Sequence, residues 1–297
     1  MPMLVLLLNI LNFFNQPDFT LDKAVIPEPV VFLEQNTSTD LAEKSIGMEI
    51  RAESALLVDN NTGNILFSKD PEKKHSLASL TKLLTNLLFW EYLDQEKWDE
   101  KCLVLPEEDK QAAQIFVYQG ETARIKDLIE ANLVASLNNA TQSLVNCLEN
   151  DLKEMDFVEL MNEKAKEIGM KNSVFVEPTG LSPNNVSTAE DVYLLINEFF
   201  KIEGLQEILK KKAVRFPIFH DGVSRYVYFE ATNELLASFI PVYGKTGYLE
   251  ESGYCFAGKF YINKNEYTVI ILGEPSSEDR FNDIKALTWW VANKNFK

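Results

Sequence analysis

Residues 78–90 read ASLTKLLTNLLFW, an apolar run that predicts a helix beginning near Ser79. Residues three apart share a helix face, so the Lys82 amine can reach the Ser79 hydroxyl without help from any distant residue. A serine hydroxyl is a poor nucleophile at neutral pH and needs an adjacent base. Lysine can be that base only if burial or a neighbouring cation depresses its pKa. Spacing alone is weak support, because a helix-opening serine followed by a surface lysine is a common arrangement.

Two further elements follow in order along the chain. Ser136-Leu137-Asn138 closes and follows the amphipathic stretch IKDLIEANLVAS (125–136), and Lys245-Thr246-Gly247 leads into the strand-like GYLEESGYCFAGKFYI (247–262). The ordered set S-x-x-K, S-x-N and K-T-G resembles the penicillin-binding proteins and class A β-lactamases. A second S-x-N match, Ser182-Pro183-Asn184, lies in a Pro/Asn-rich loop that the resemblance aligns elsewhere.

From Ala52 to Phe296 the chain resembles, more narrowly, the serine D-alanyl-D-alanine carboxypeptidases of the low-molecular-mass penicillin-binding type (peptidase S11). The segments that carry the likeness are AESALLVDNNTGNILFSKD (52–70), HSLASLTKLLT (75–85), GETARIKDLIEANLVASLNNAT (120–141), MNEKAKEIGMKNSVFVEPTGLSPNNVSTAEDV (161–192) and KTGYLEESGYC (245–255). Asn139 stands where that family usually has Asp, Leu137 where Gly is frequent, and Glu177 where Asn precedes Pro178. Leu249 and Ser252 replace a usual Thr and Ala. The side chains of the three motifs are all retained.

The resemblance implies a role for each motif residue. Ser79 is the nucleophile, attacking the carbonyl between two D-alanines, and Lys82 is its base. Lys245, if near, would disfavour a second ammonium and push the Lys82 pKa down. Ser136 would relay a proton to the leaving amine. Asn138 would bond the substrate backbone, and Thr246 would hold its terminal carboxylate. Gly247 would let the substrate lie close to the strand edge. The Ser79 and Tyr248 amides would receive the developing oxyanion. No metal or other cofactor is implied. Peptidoglycan stem peptides and β-lactams are the expected ligands, and the expected place of action is the cell envelope.

Composition narrows the classes. The chain has 297 residues, 46% hydrophobic and 25% charged, which is ordinary for a globular protein. Lys plus Arg is 29 against 45 Asp plus Glu, a net charge of −16 that argues against nucleic-acid partners and anionic membrane surfaces. Three cysteines without a C-x-x-C and only two histidines make a zinc site unexpected; free, mostly buried thiols are the expectation. His75 is the only histidine near a motif. Residues 3–14, MLVLLLNILNFF, are too short to span a bilayer as a helix and suit a signal or anchor core. Residues 1–15 are therefore taken as an apolar signal- or anchor-like segment, 16–49 as an acidic tether that could hold the protein at a membrane, and 50–297 as the catalytic domain.

Ser54–Asp70 alternates around NNTG as a hairpin should. Helices are expected near 79–95, 125–137, 139–150, 156–168, 187–202 and 277–293, with Asp156 and Ser187 as caps and Gly169 as a stop. Strands dominate after residue 213. Strands at both ends with helices between them predict an α+β domain. The resemblance makes this an antiparallel sheet flanked by helices with an inserted helical subdomain. Three other functions stay open: a class A-like β-lactamase with Glu177 activating the water, a D,D-endopeptidase using the same residues, and a penicillin- or wall-binding protein without turnover.

Overall fold

The structure, a computed structural model, describes residues 49–106, 118, 120–152 and 156–294. The apolar segment 1–15 and all but the last residue of the acidic tether lie outside them. The expected hairpin is β1 (Ser54–Asp59) and β2 (Asn64–Lys69), its turn closed by Gly63 N–H donating to Asp59 O at 2.8 Å. The short β3 (His75–Ser76) leads through a 3-10 turn, Ala78–Leu80, into α1 (Thr81–Tyr92). Then come β4 (Lys101–Leu103), β5 (Thr122–Arg124), α2 (Ile125–Val134), α3 (Asn138–Leu152) and α4 (Phe157–Glu167). The middle of the chain continues with β6 (Val186–Ser187), α5 (Ala189–Phe200), α6 (Glu203–Leu209), β7 (Ala213–His220) and β8 (Val223–Glu230). It closes with β9 (Tyr243–Leu249), β10 (Gly253–Ile262), β11 (Asn265–Glu274) and α7 (Ser277–Lys294).

The main sheet runs β2-β1-β11-β10-β9, antiparallel throughout, so chain ends meet and β9 is left as an edge. Helix α7 covers one face, where Phe281, Ile284, Leu287 and Val291 pack with Leu57, Phe256, Phe260, Val269 and Ile271. Helix α5 lies against β1, β10 and β11. Covered on both faces, β11 reads as the continuous apolar run VIILG, with no alternation. Each fully buried side chain of this size contributes about 1.5–3 kcal/mol. Between the halves of the sheet, α1 to α4 form the helical part, flanked by a second sheet, β4-β5-β7-β8.

Local signals behave unevenly. Asp156 caps α4, accepting from the amides of Val158 and Glu159, and Gly169 leaves the helix at φ +90°. The cap of α5 is Thr188, not Ser187: its hydroxyl accepts from Asp191 N–H, while Ser187 is spent pairing β6 with His75. The K-T-G element lies inside β9 instead of ahead of a strand. The expectation of free thiols is corrected: Cys102 on β4 and Cys147 on α3 form a disulfide, their Cα atoms 6.1 Å apart. Only folding brings together two cysteines 45 residues apart. Cys255 is a free, buried thiol, pushed up to about 11 by burial.

One buried pair sets a pH dependence. Glu274 ends β11 fully buried, with no N–H or hydroxyl group to satisfy either oxygen, and abuts Asp283 of α7. Burial, then the Asp283 carboxyl, raises the Glu274 pKa from the usual 4.5 to about 8; burial also raises Asp283. A carboxyl whose folded pKa is raised takes up a proton on folding, so stability falls as pH climbs from 4.5 to about 8 and is level above. Glu274→Gln cannot titrate and should flatten the fall of Tm across that window. An unchanged slope would remove Glu274 as its source.

Candidate active site

The cap of α1 is Leu80, which has no polar side chain, so Ser79 is not consumed as a helix cap. Its hydroxyl instead meets Lys82 Nζ at 2.9 Å, as the three-residue spacing requires. Lys82 is fully buried and also donates to Asn138 Oδ1 at 2.7 Å and to the Thr179 carbonyl at 2.5 Å. These two partners are pure acceptors. Of the three oxygens that Lys82 Nζ meets here, only that of the Ser79 hydroxyl carries a proton to give. Asn138 thus holds the lysine with its oxygen, a task the sequence did not suggest, while its NH₂ remains able to meet a substrate carbonyl. Asn86 braces the same helix, donating to Lys82 O at 2.6 Å and to Asn132 Oδ1 on α2 at 2.9 Å.

The Thr179 carbonyl is aimed by its loop. The Glu177 carboxylate accepts from the amides of Thr179 at 2.7 Å and Gly180 at 2.6 Å, and from the Thr179 hydroxyl at 2.5 Å. Asn185 Nδ2 reaches both Glu177 Oε1 at 2.7 Å and Thr81 Oγ1 at 3.1 Å, tying the loop to α1. Glu177 is therefore committed to folding its own loop, which opposes its use as a water-activating base. Gly180, at φ +86°, is required: a Cβ there would lie 2.0 Å from Ala78 O.

On the opposite wall, Lys245 donates to Ser136 Oγ at 2.7 Å and to Thr246 O at 2.9 Å. Lys245 is held well below the usual lysine range, by burial first and then by Lys82 and Arg280. The Thr246 hydroxyl pairs with that of Thr232 at 2.5 Å. Gly247 brings β9 against the turn that carries Ser79: a Cβ on it would sit 3.2 Å from Ser79 N. Ala78 at φ +45° and Ser136 at φ +62° are non-glycine residues in the left-handed region, each storing about 1–3 kcal/mol of strain. The first precedes Ser79, and the second carries the hydroxyl that Lys245 meets.

These residues line a cleft of about 430 Å³ that also takes in Leu181, Tyr248, Glu250, Tyr254 and Arg280. All eight residues singled out from sequence meet at or beneath it. Two others were missed. Thr232 carries no motif. Arg280, almost wholly buried, donates to Gly247 O at 3.2 Å and leaves its Nε without a partner; burial pushes it down to about 10. Its signal was an arginine in the acidic opening turn of a helix, where the dipole disfavours a cation. His75 lies outside the cleft, buried, its Nε2 3.3 Å from Glu53, and burial lowers its pKa.

Known proteins place this arrangement. The family described as D-alanyl-D-alanine carboxypeptidase (peptidase S11) matches residues 37–276. D-alanyl-D-alanine carboxypeptidase DacF of Bacillus subtilis is 30% identical over 77% of this chain, which spans 59% of that relative's length. A D-alanyl-D-alanine endopeptidase of Pseudomonas aeruginosa is 31% identical over 82% of this chain and 78% of its own. The ampicillin-bound structure of penicillin-binding protein D2 from Listeria monocytogenes is 30% identical, covers 82% of this chain and 98% of its own, and has a TM-score of 0.70. With the three motifs gathered around one cleft on this fold, the chain belongs to the D-alanyl-D-alanine carboxypeptidase family, peptidase S11.

Proposed function

We propose that the protein is a serine D,D-carboxypeptidase that removes the terminal D-alanine of peptidoglycan stem peptides and is acylated by β-lactams. The observation that carries this is Lys82 Nζ at 2.9 Å from Ser79 Oγ, buried and held in place by Asn138 Oδ1 and the Thr179 carbonyl. Ser79 Oγ attacks the carbonyl and its proton passes to Lys82. The Ser79 and Tyr248 amides receive the oxyanion. The carbon–nitrogen bond breaks, and the D-alanine amine takes, relayed through Ser136, the proton that Lys82 received from Ser79. Water then cleaves the ester and frees Ser79. The hydroxyl pair Thr232–Thr246, with the Arg280 cation behind it, suits the terminal carboxylate.

Cleavage of cross-links by the same residues is the second reading, favoured by the endopeptidase relative. The commitment of Glu177 to its loop weighs against the β-lactamase reading. We assign residues 50–297 as the catalytic domain, with an N-terminal anchor and tether ahead of it, working outside the cytoplasm. The Cys102–Cys147 disulfide supports an oxidising compartment. No helix of the described residues is long and apolar enough to cross a membrane.

The test is intact mass against time after adding benzylpenicillin. A slowly decaying adduct, absent from Ser79→Ala, is expected, together with D-alanine release from a peptide ending in D-Ala-D-Ala. No adduct on folded protein would overturn the assignment; an adduct without D-alanine release would leave a binding protein.

A further inference from the structure

The cleft is electrically bipolar. At one end lie Lys245, Arg280 and the Thr232–Thr246 hydroxyl pair. At the other, β9 ends in the tight Leu249–Gly253 turn, pinned by Leu249 N–H donating to Ser252 Oγ at 2.9 Å. The turn presents Glu250, an exposed carboxylate that lines the cleft and forms no ion pair among the described residues. Between the two ends, Tyr248 stacks on Tyr254 with ring centroids 4.3 Å apart, and Tyr248 keeps half its surface exposed.

We propose that Glu250 and the Tyr248 face form a subsite for a cationic side chain on the residue immediately before the D-Ala-D-Ala of the substrate. The proposal rests on the carboxypeptidase reading. An extended peptide adding to the free β9 edge runs antiparallel to it, with its carboxylate at Thr246 and its earlier residues toward Leu249. From Thr246 to Glu250 is four residues, about 13 Å of extended chain. Two residues of substrate cover about 7 Å of that, leaving about 6 Å. An ammonium on a four-carbon stem bridges such a gap. The stem would lie on the Tyr248 ring, and the ammonium would meet the ring face and the carboxylate together. A substrate with a carboxylate at its end and an ammonium two residues earlier is thus matched at both poles.

The experiment compares diacetyl-L-Lys-D-Ala-D-Ala with its α-acetylated analogue bearing a free ε-amine, measuring kcat/KM for D-alanine release. The wild type should prefer the free amine by about two- to fivefold, as expected of a solvent-exposed ion pair. The preference should shrink in 1 M salt, vanish in Glu250→Gln and reverse in Glu250→Lys. A ratio of one in a wild type that benzylpenicillin acylates, or a ratio unchanged in Glu250→Gln, overturns the subsite alone. Failure of both acylation and D-alanine release overturns the carboxypeptidase reading, and the subsite with it.

Discussion

Lys82→Met should leave a folded protein whose acylation by benzylpenicillin is slower by at least about 10³-fold, the range expected for loss of a general base. Such a fall is about 4 kcal/mol of transition-state stabilisation. Methionine fills much of the same buried space without a donor or a lone pair for the serine proton. It strands Asn138 Oδ1 and Thr179 O, a stability loss of about 1–3 kcal/mol for each unsatisfied group. Stopped acylation kinetics and a denaturant midpoint separate the two effects. A loss below about tenfold would move the base from Lys82, and Lys245, whose ammonium is disfavoured by burial, would be the next residue to replace.

Gly180→Ala should be nearly as damaging by a purely steric route. The new methyl would sit 2.0 Å from Ala78 O and 2.9 Å from Ser79 N, in a backbone at φ +86°. The strain of that conformation is about 1–2 kcal/mol, and overpacking adds about 1–3 kcal/mol. The loop can relax only by retreating from the nucleophile turn, which carries the Thr179 carbonyl away from Lys82. A hundredfold or greater fall in acylation is expected together with a lowered Tm. Gly222→Ala is the matched control, since it has φ +78° but nothing within 4 Å of its Cβ. It should show the conformational strain without the steric part and keep full acylation. Equal losses in the two variants would refute the steric account.

Much of the site was legible because its chemistry is written in short spacings. Ser79 with Lys82, Ser136 with Asn138, and Lys245 through Gly247 each sit within a few residues, and their order along the chain narrowed the fold. The hairpin at 54–70 and the last helix were equally local. What escaped depends on contacts formed only after folding. Thr232 matters through a hydroxyl 14 residues away, and Cys102 finds Cys147 across 45. Arg280 meets Gly247 from 33 residues off. Asn138 showed another limit: its position was visible, but whether its amide faced substrate or lysine required the depth of Lys82. Glu177, a departure from the family pattern, resembled a possible catalyst until its five donors were seen to belong to its own loop or to Asn185.

Strand β9 is an unpaired sheet edge, and an unpaired edge invites another chain to pair with it. In most proteins such an edge is blunted by charge, proline or a bulge. Here the turn before α1 stands over it, with Leu77 O only 3.0 Å from where a Gly247 Cβ would be. The same Cβ would lie 3.2 Å from both Ala78 Cβ and Ser79 N, so the turn covers the middle of the strand. The turn that sets Ser79 over β9 thus also denies the middle of that edge to a second strand, a protection in the sense that a capped edge is one. Variants that widen the groove to admit bulkier substrates would weaken that protection along with selectivity.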